Sequence, residues 1–280
     1  MKNKVLAIIV SYNGGKDIVT TIYALQCQVN EILVVDNASD CNSLEILNNL
    51  ALEKVITLIK LPKNYGIGFA LNIGVKKALY DGYDWVLTMD QDSIAEKNMV
   101  HELISCANIE SNIVSVSPSL ELHGRKNNKK SGFIDYAITS GNLVKTTIFN
   151  RIGFYNEDYF IDSIDFDFSL RVRQSGYIIY RSSNAILSHK LGNDAKKSIF
   201  GMNFNYIYHS PERRYYMYRN HCYLTKDFFA AFPKFITKKT ILSILYIFNI
   251  IFFEEKKYVN IKMILHGIRD YFCGVSGKKQ

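Results

Sequence analysis

Cysteine, proline and tryptophan are all scarce in this chain, and no hydrophobic run in it is long. The five cysteines, Cys27, Cys41, Cys106, Cys222 and Cys273, are odd in number and scattered, with no Cys-x-x-Cys spacing. That excludes a disulfide framework and a zinc or redox pair, and predicts a reducing compartment. The first apolar run, Val5 to Val10, is shorter than the core of a secretory signal, so cytosolic residence is expected. There are only four prolines and no repeat, and the one short polar tract, Gly124 to Lys130, reads as a loop. The most apolar late segment, Thr240 to Phe253, is interrupted by Ser243 and Asn249 and falls short of the roughly 20 residues a spanning helix needs.

What is present is enough hydrophobic material, 48% of 280 residues, to bury a substantial core as one large domain with an appendage or as two small ones. The net charge of +8 is unevenly spread. Residues 1–195 carry 19 Lys and Arg against 21 Asp and Glu, and residues 196–280 carry 15 against 5. Such asymmetry points to an anionic partner for the C-terminal part, nucleic acid or an acidic membrane surface, or to a merely solvated basic face.

Short apolar runs ending in turn residues read as buried strands: Val5–Val10, Glu31–Asp36, Val55–Ile59 and Trp85–Met89. Stretches of helix length separate them, Asp17–Cys27, Ser43–Leu52 and Gly66–Tyr80. This alternation predicts an α/β fold with a mostly parallel sheet and helices on its faces. Beyond it the pattern predicts a helix at Lys97–Asn108, a strand at Ile113–Ser117, a helix at Asp165–Gln174 and a strand at Tyr177–Tyr180 leading to His189. The composition turns aromatic and basic after about residue 200, which is the expected boundary of a helical C-terminal region.

In open parallel sheets ligands sit beyond the carboxyl ends of the strands, where Asp36 and the pair Asp90 and Asp92 fall. Two carboxylates separated by one residue after a buried strand offer hard oxygen ligands to Mg2+ or Mn2+, and such ions complete their shell with water and substrate phosphates. The tripeptide alone is equally a solvated turn. The spacing Gly66-x-Gly68 lacks the third glycine of a dinucleotide fingerprint, which argues against an NAD site.

In company these elements are specific. Ser11-Tyr12-Asn13, Asp36-Asn37-Ala38-Ser39, Asn64-x-Gly66-x-Gly68, Met89-Asp90-Gln91-Asp92-Ser93, Ser140-Gly141-Asn142, Asp162-x-x-Asp165-x-Asp167-x-x-x-Arg171 and Leu187-x-His189-x-x-Gly192 closely resemble family 2 glycosyltransferases over about residues 5 to 195. The resemblance implies an A-type glycosyltransferase fold, a Rossmann-like sheet flanked by helices, and an inverting transfer from a nucleotide-sugar. It implies donor contacts from Ser11, Tyr12, Asn13, Asp36, Asn64, Gly68 and Asp90, with Asp36 accepting the N3–H of a pyrimidine. It implies metal ligation by Asp92 and His189, and acceptor contacts near Ser140, Gly141 and Asn142. Asp165, aligned by its distance to Arg171, matches the general base. Structural alternatives stand beside four of these: a helix N-cap or turn for Asp36, close helix–sheet packing for Gly68, helix-dipole stabilisation for the acids 162, 165 and 167, and a hydrogen-bonded strand end for His189.

Pro211-x-Arg213-x-Tyr215-Tyr216-x-x-Arg219-Asn220 and His266-Gly267-Ile268-Arg269-Asp270-Tyr271 are similar to the rhamnosyltransferase branch. That branch implies dTDP-L-rhamnose, with other UDP-sugars as the alternative donor, and a polyprenyl-diphosphate-linked oligosaccharide acceptor. Arg213, Arg214 and Arg219 would each meet the acceptor diphosphate. The expected location is the cytoplasmic face of the inner membrane, with Thr240–Phe253 at an anionic lipid surface or in a subunit interface, and a homo-oligomer is allowed. A sugar nucleotidyltransferase would carry a glycine- and lysine-rich phosphate loop, for which Gly14-Gly15-Lys16 is too slight. A nucleic-acid-binding role leaves the ordered acids of the first 195 residues without purpose.

Overall fold

In the computed structural model the described residues are 3–122, 125–126, 130–189, 193–199, 202–254 and 256–279. Parts of the polar tract 124–130, residue Gly192 and the position of the boundary expected near 200 lie outside them. The chain forms two compact units, Met1–Glu157 with Ile164–Lys190, and Asp158–Ser163 with Leu191–Gln280.

The first unit is α/β. In chain order it holds β1 (Val5–Ser11), α1 (Asp17–Leu25), β2 (Glu31–Asp36), α2 (Cys41–Leu52), β3 (Thr57–Lys60), α3 (Ile67–Tyr80), β4 (Trp85–Asp90), β5 (Ile94–Ala95), α4 (Met99–Ala107), β6 (Ile113–Leu122), β7 (Arg125–Lys126), β8 (Gly132–Phe133), β9 (Asn142–Lys145), α5 (Phe149–Ile152), α6 (Ile164–Gln174) and β10 (Ile178–Ser188). The sheet runs β3-β2-β1-β4-β9-β6-β10-β5. The pairs β1–β2, β1–β4, β2–β3 and β6–β10 are parallel, while β9 enters antiparallel between β4 and β6. Leu6, Ala7, Ile8 and Ile9 are fully buried, as a central strand covered by helices on both faces requires.

Two differences from the sequence pattern matter for the site. β6 runs on through Pro118 to Leu122, twice the length its apolar run predicts, and β10 runs to Ser188, nearly three times the length expected. The sheet tolerates Pro118 because β10 shifts register between Arg181 and Ile186 beside it. β9 was not legible as a strand, since only four residues, Asn142–Lys145, belong to it.

The second unit holds β11 (Asn193–Ile199) and β12 (Met202–Tyr208), an antiparallel hairpin, then α7 (Pro211–Phe228), α8 (Pro233–Phe253) and α9 (Lys257–Phe272). It is therefore not wholly helical. Ser210 caps α7, its hydroxyl accepting the Arg213 N–H at 3.2 Å, and Pro211 fills the first turn where no donor is needed. α7 and α9 approach closely at Gly267, where a Cβ would collide with the Tyr215 carbonyl oxygen. The three helices are also tied by one buried charge pair, Arg214 to Glu254 at 2.5 Å, with Asn260 donating to Glu254 at 2.6 Å. Burial raises the Glu254 carboxyl above its usual range against the opposing pull of Arg214.

α8 begins at Pro233 and is long and apolar enough to cross a membrane, with 11% of its most apolar window buried. The length argument against spanning, drawn from Thr240–Phe253 alone, therefore does not hold. Seven residues of helix that the hydropathy pattern missed precede that run because three lysines mask them.

Candidate functional site

The parallel register sets Ser11 beside Asp36 and Val10 beside Asp90, so the carboxyl ends of β1, β2 and β4 form one edge. Asp36 is only 1% exposed. Its Oδ2 accepts the Ser39 N–H at 3.1 Å, but Oδ1 has no partner, and neither has the buried hydroxyl of Ser11 next to it. An unsatisfied buried carboxylate oxygen is costly, about 1–3 kcal/mol or more. A site built to accept a donor from a ligand carries that cost before the ligand arrives.

The surrounding loops are pinned to each other. The Asn37 N–H donates to the Ser11 carbonyl at 2.7 Å, the Asn13 N–H to Ser39 Oγ at 2.9 Å, and the Asp40 N–H to Asn13 Oδ1 at 2.8 Å. Asn13 adopts a left-handed backbone (φ 53°), which Asn tolerates well. Asn64 closes a turn by accepting the Gly66 N–H at 2.9 Å. Asn13 and Asn64 thus shape the loops through their side chains. Gly68 is needed because a Cβ there would lie 2.7 Å from the Asn156 carbonyl oxygen. The close approach at Gly68 is to that loop, and is not the helix–sheet contact of its packing alternative.

Gln91, the middle residue of the acidic tripeptide, has a role that sequence reasoning missed. Its Oε1 accepts the Tyr12 N–H at 2.9 Å and its Nε2 donates to the Tyr12 carbonyl at 3.1 Å. It therefore locks the loop after β1 to the turn after β4, and leaves the Tyr12 ring half exposed. A side-chain amide between two acids is the signal that was available.

Asp92 and His189 come within electrostatic reach of each other. Burial depresses the His189 imidazole below its usual value, and the Asp92 charge works against that shift. The ring is therefore neutral at neutral pH, the form that ligates metals. Among the described residues no three His, Cys, Asp or Glu side chains gather. A carboxylate with a neutral imidazole is a donor pair of the kind that would suit Mn2+ better than Mg2+, the rest of the shell coming from water and phosphate.

Ser140, Gly141 and Asn142, expected at the acceptor, are inside the fold. Ser140 and Asn142 are buried; Ser140 Oγ accepts the Asp90 N–H at 3.2 Å, and Asn142 Oδ1 accepts the Ser115 hydroxyl at 2.7 Å. Gly141 bonds the Thr88 carbonyl at 2.8 Å with a positive φ of 76°. These residues brace the turn that carries Asp90, and have no surface to offer a sugar.

The three acids before Arg171 part company. Asp167 is paired with Arg171 at 2.6 Å, and Arg171 also donates to the carbonyls of Ile152 and Phe154 at 2.7 and 2.8 Å. Asp165, in the first turn of α6, is partly exposed and accepts the Phe166 N–H at 2.9 Å. Its charge reaches Tyr136, whose phenol is raised first by burial and then by Asp165. Asp162 belongs to the second unit and takes both arms of Arg213, at 2.9 and 3.1 Å. Arg219, expected at an acceptor diphosphate, is fully buried and donates to Asn220 and to the carbonyls of Gly277, Asp158 and Tyr159. With those donors spent inside the unit, it is a strut rather than a diphosphate contact.

Comparison with known proteins agrees with this geometry. The model of the family "Glycosyl transferase family 2" matches residues 6–171. The chain is 26% identical over 298 residues to dTDP-rhamnosyl transferase RfbF of Shigella flexneri, covering 99% of this chain and 98% of that one. It is 26% identical over 100 residues to poly-beta-1,6-N-acetyl-D-glucosamine synthase of Staphylococcus aureus (strain COL), covering 35% and 24%. Among solved structures, TarS 1–349 of S. aureus in complex with UDP-GlcNAc superposes with a TM-score of 0.56 at 16% identity, covering 97% of this chain and 73% of that one. GalNAc-T7 with UDP, GalNAc and Mn2+ gives a TM-score of 0.58 at 14% identity over 71% of this chain, which spans 44% of that structure.

Proposed function

The chain belongs to glycosyl transferase family 2, and from that premise we propose that it moves L-rhamnose, with inversion, from dTDP-L-rhamnose to a polyprenyl-diphosphate-linked oligosaccharide of a bacterial surface polysaccharide. The observation that carries the nucleotide-diphosphate donor is the buried, partnerless Oδ1 of Asp36 beside the equally partnerless Ser11 hydroxyl. Thymine and uracil each present one imide N–H, which an ionised carboxylate accepts strongly. The similarity to a dTDP-rhamnosyl transferase along nearly the whole of both chains supports thymidine and rhamnose over other donors.

Asp92 and His189 would hold Mg2+ or Mn2+, and a bound ion supplies charge neutralisation to the departing diphosphate. The chain's own residues do the rest. Asp165 takes the proton of the acceptor hydroxyl as its oxygen bonds to the anomeric carbon. The bond from that carbon to the β-phosphate oxygen breaks, and its electron pair leaves with dTDP. Asp167 is paired with Arg171 and Asp162 with Arg213, and the base role of Asp165 rests on its distance to Arg171 in the family's acidic motif.

α8 would lie in the headgroup zone of an anionic membrane. One side packs on its own unit through Tyr246, Ile247 and Ile250, and the other exposes Ile241, Leu242, Leu245 and Phe248. Lys234 and Lys238 are exposed in its first turns.

The test is to offer dTDP-L-rhamnose and UDP-N-acetylglucosamine, with Mn2+, to the protein and a lipid-linked oligosaccharide extract. Release of dTDP with growth of the glycan is expected, and Asp165→Asn should lower kcat by about 10²- to 10⁴-fold with dTDP binding kept. Turnover of the UDP-sugar alone would overturn the donor, and full activity of Asp165→Asn would overturn the base.

A further inference from the structure

We propose that the groove lined by β6, β10, the segment 133–138 and the end of α6 is a carbohydrate subsite, which holds the sugars of the acceptor glycan that lie next to the one receiving the new residue. The inference rests on the reading of the acceptor as an oligosaccharide and of Asp165 as its base. The groove lies wholly within the first unit and has a volume of about 690 Å3, inside the range of about 300–1,000 Å3 usual for small-ligand sites. One wall follows α6 away from Asp165. The Tyr136 ring meets Phe166, the neighbour of Asp165, edge-on with ring centres 4.8 Å apart, the Ala137 N–H donates to Ser169 Oγ at 3.2 Å, and Asp135 pairs with Arg173 at 3.0 Å. Tyr136 and Arg173 both line the groove. Eight positions of helix separate Asp165 from Arg173, about 12 Å along the axis. That length, starting beside the base, has space for more than one sugar ring.

The lining carries the chemistry a sugar needs. A pyranose presents apolar C–H faces and a rim of hydroxyls that both donate and accept. Phe133 and Tyr136 are in the lining and keep 64% and 39% of their surface exposed, and exposed rings suit the C–H faces. The Asp135 carboxylate and the Arg173 guanidinium set acceptor and donors side by side for the hydroxyls. Arg181 gives one N–H to the Lys130 carbonyl at 3.0 Å, while its Nε is buried without a partner, a donor whose burial is costly until an oxygen reaches it. The balance of Asp135 against Arg173 and Arg181 leaves little net charge for a diphosphate and favours neutral hydroxyls. Ser140 and Asn142 are buried, whereas this groove is a surface that the first unit does offer beside Asp165.

The test titrates oligosaccharides, released by mild acid from the lipid-linked extract, into the full-length protein by calorimetry, beside the transfer assay. The wild type should bind them without donor or metal. Arg181→Gln and Phe133→Ala should each weaken that binding, and raise the KM for the lipid-linked oligosaccharide, by about tenfold, with kcat, dTDP affinity and the urea midpoint kept. Equal oligosaccharide affinity in both variants overturns the groove as the subsite. So does a wild type that transfers sugar to the lipid-linked form and does not bind the released oligosaccharides. A protein that transfers no sugar, yet loses oligosaccharide binding in both variants, keeps the subsite and overturns the reaction instead.

Discussion

At the scale of single residues, cost identifies purpose. Asp36 keeps a buried carboxylate oxygen without a donor, whereas the fully buried Arg219 spends its donors on Asn220 and three carbonyls. On the proposed reading the first residue waits for a ligand, while the second holds chain. Asp36→Ala should therefore weaken dTDP by about 10- to 150-fold, the range of a hydrogen bond to a charged group, in a calorimetric titration. Asn220 gives the opposite case. Its Nδ2 donates to the carbonyls of Tyr159, Ile161 and Asp162 at 2.9, 2.8 and 3.0 Å. That segment contains three left-handed residues other than glycine, Phe160, Asp162 and Ser163. Each such residue costs about 1 kcal/mol or more and persists only where its surroundings over-determine it. Asn220→Ala should lower stability by about 2 kcal/mol in urea denaturation, while leaving dTDP affinity unchanged.

At the scale of elements, α8 separates a packed side from an exposed apolar one. If the exposed side meets lipid, the double substitution Leu245→Lys with Phe248→Lys should cut sedimentation with phosphatidylglycerol vesicles at least about tenfold, and salt should weaken the wild type through Lys234 and Lys238. The start of α7 carries a pH dependence. His209 stacks against Tyr246 with ring centres 6.0 Å apart, and its imidazole is depressed to about 4, first by burial and then by Arg213, with Asp162 opposing and Arg214 adding to the shift. The folded state thus prefers the neutral ring, whereas the unfolded chain protonates it near its ordinary value of 6.5. Stability from this group is complete above about pH 6.5 and is lost as pH falls towards about 4. The urea midpoint should drop across that window more steeply for the wild type than for His209→Gln.

At the scale of the whole molecule, the two units are not consecutive in sequence. Asp158–Ser163 leaves the first unit, joins the second, and the chain returns to the first at Ile164, the residue before Asp165. Within the second unit this segment is held by Arg213, Arg219 and Asn220, and by the Gly277 N–H on the Asp158 carbonyl. A chain cut after Lys190 loses all of these partners. Hydrogen exchange at the amides of residues 160–163 should then accelerate by about a hundredfold or more, and unchanged protection there would show that the first unit orders the segment alone.

The sequence by itself determined the α/β class, the order of the first four strands and the edge where Asp36 and Asp90 meet. Those depend on local patterns: apolar runs of strand length, turn residues after them, and the rule that parallel strands present their carboxyl ends together. The family was legible for the same reason, since its motifs are short and ordered along the chain. Tertiary structure alone decided which polar residues are turned inward onto other residues. Ser140, Asn142 and Arg219 have the composition of a binding surface, and burial turned them into braces. Gln91 looked like a spacer, and register made it the clamp on Tyr12. Hydrogen-bond partners 47 or 79 positions apart, as in Ser140 with Ser93 and Gln91 with Tyr12, leave no trace in local spacing. They arise only when the strands have paired.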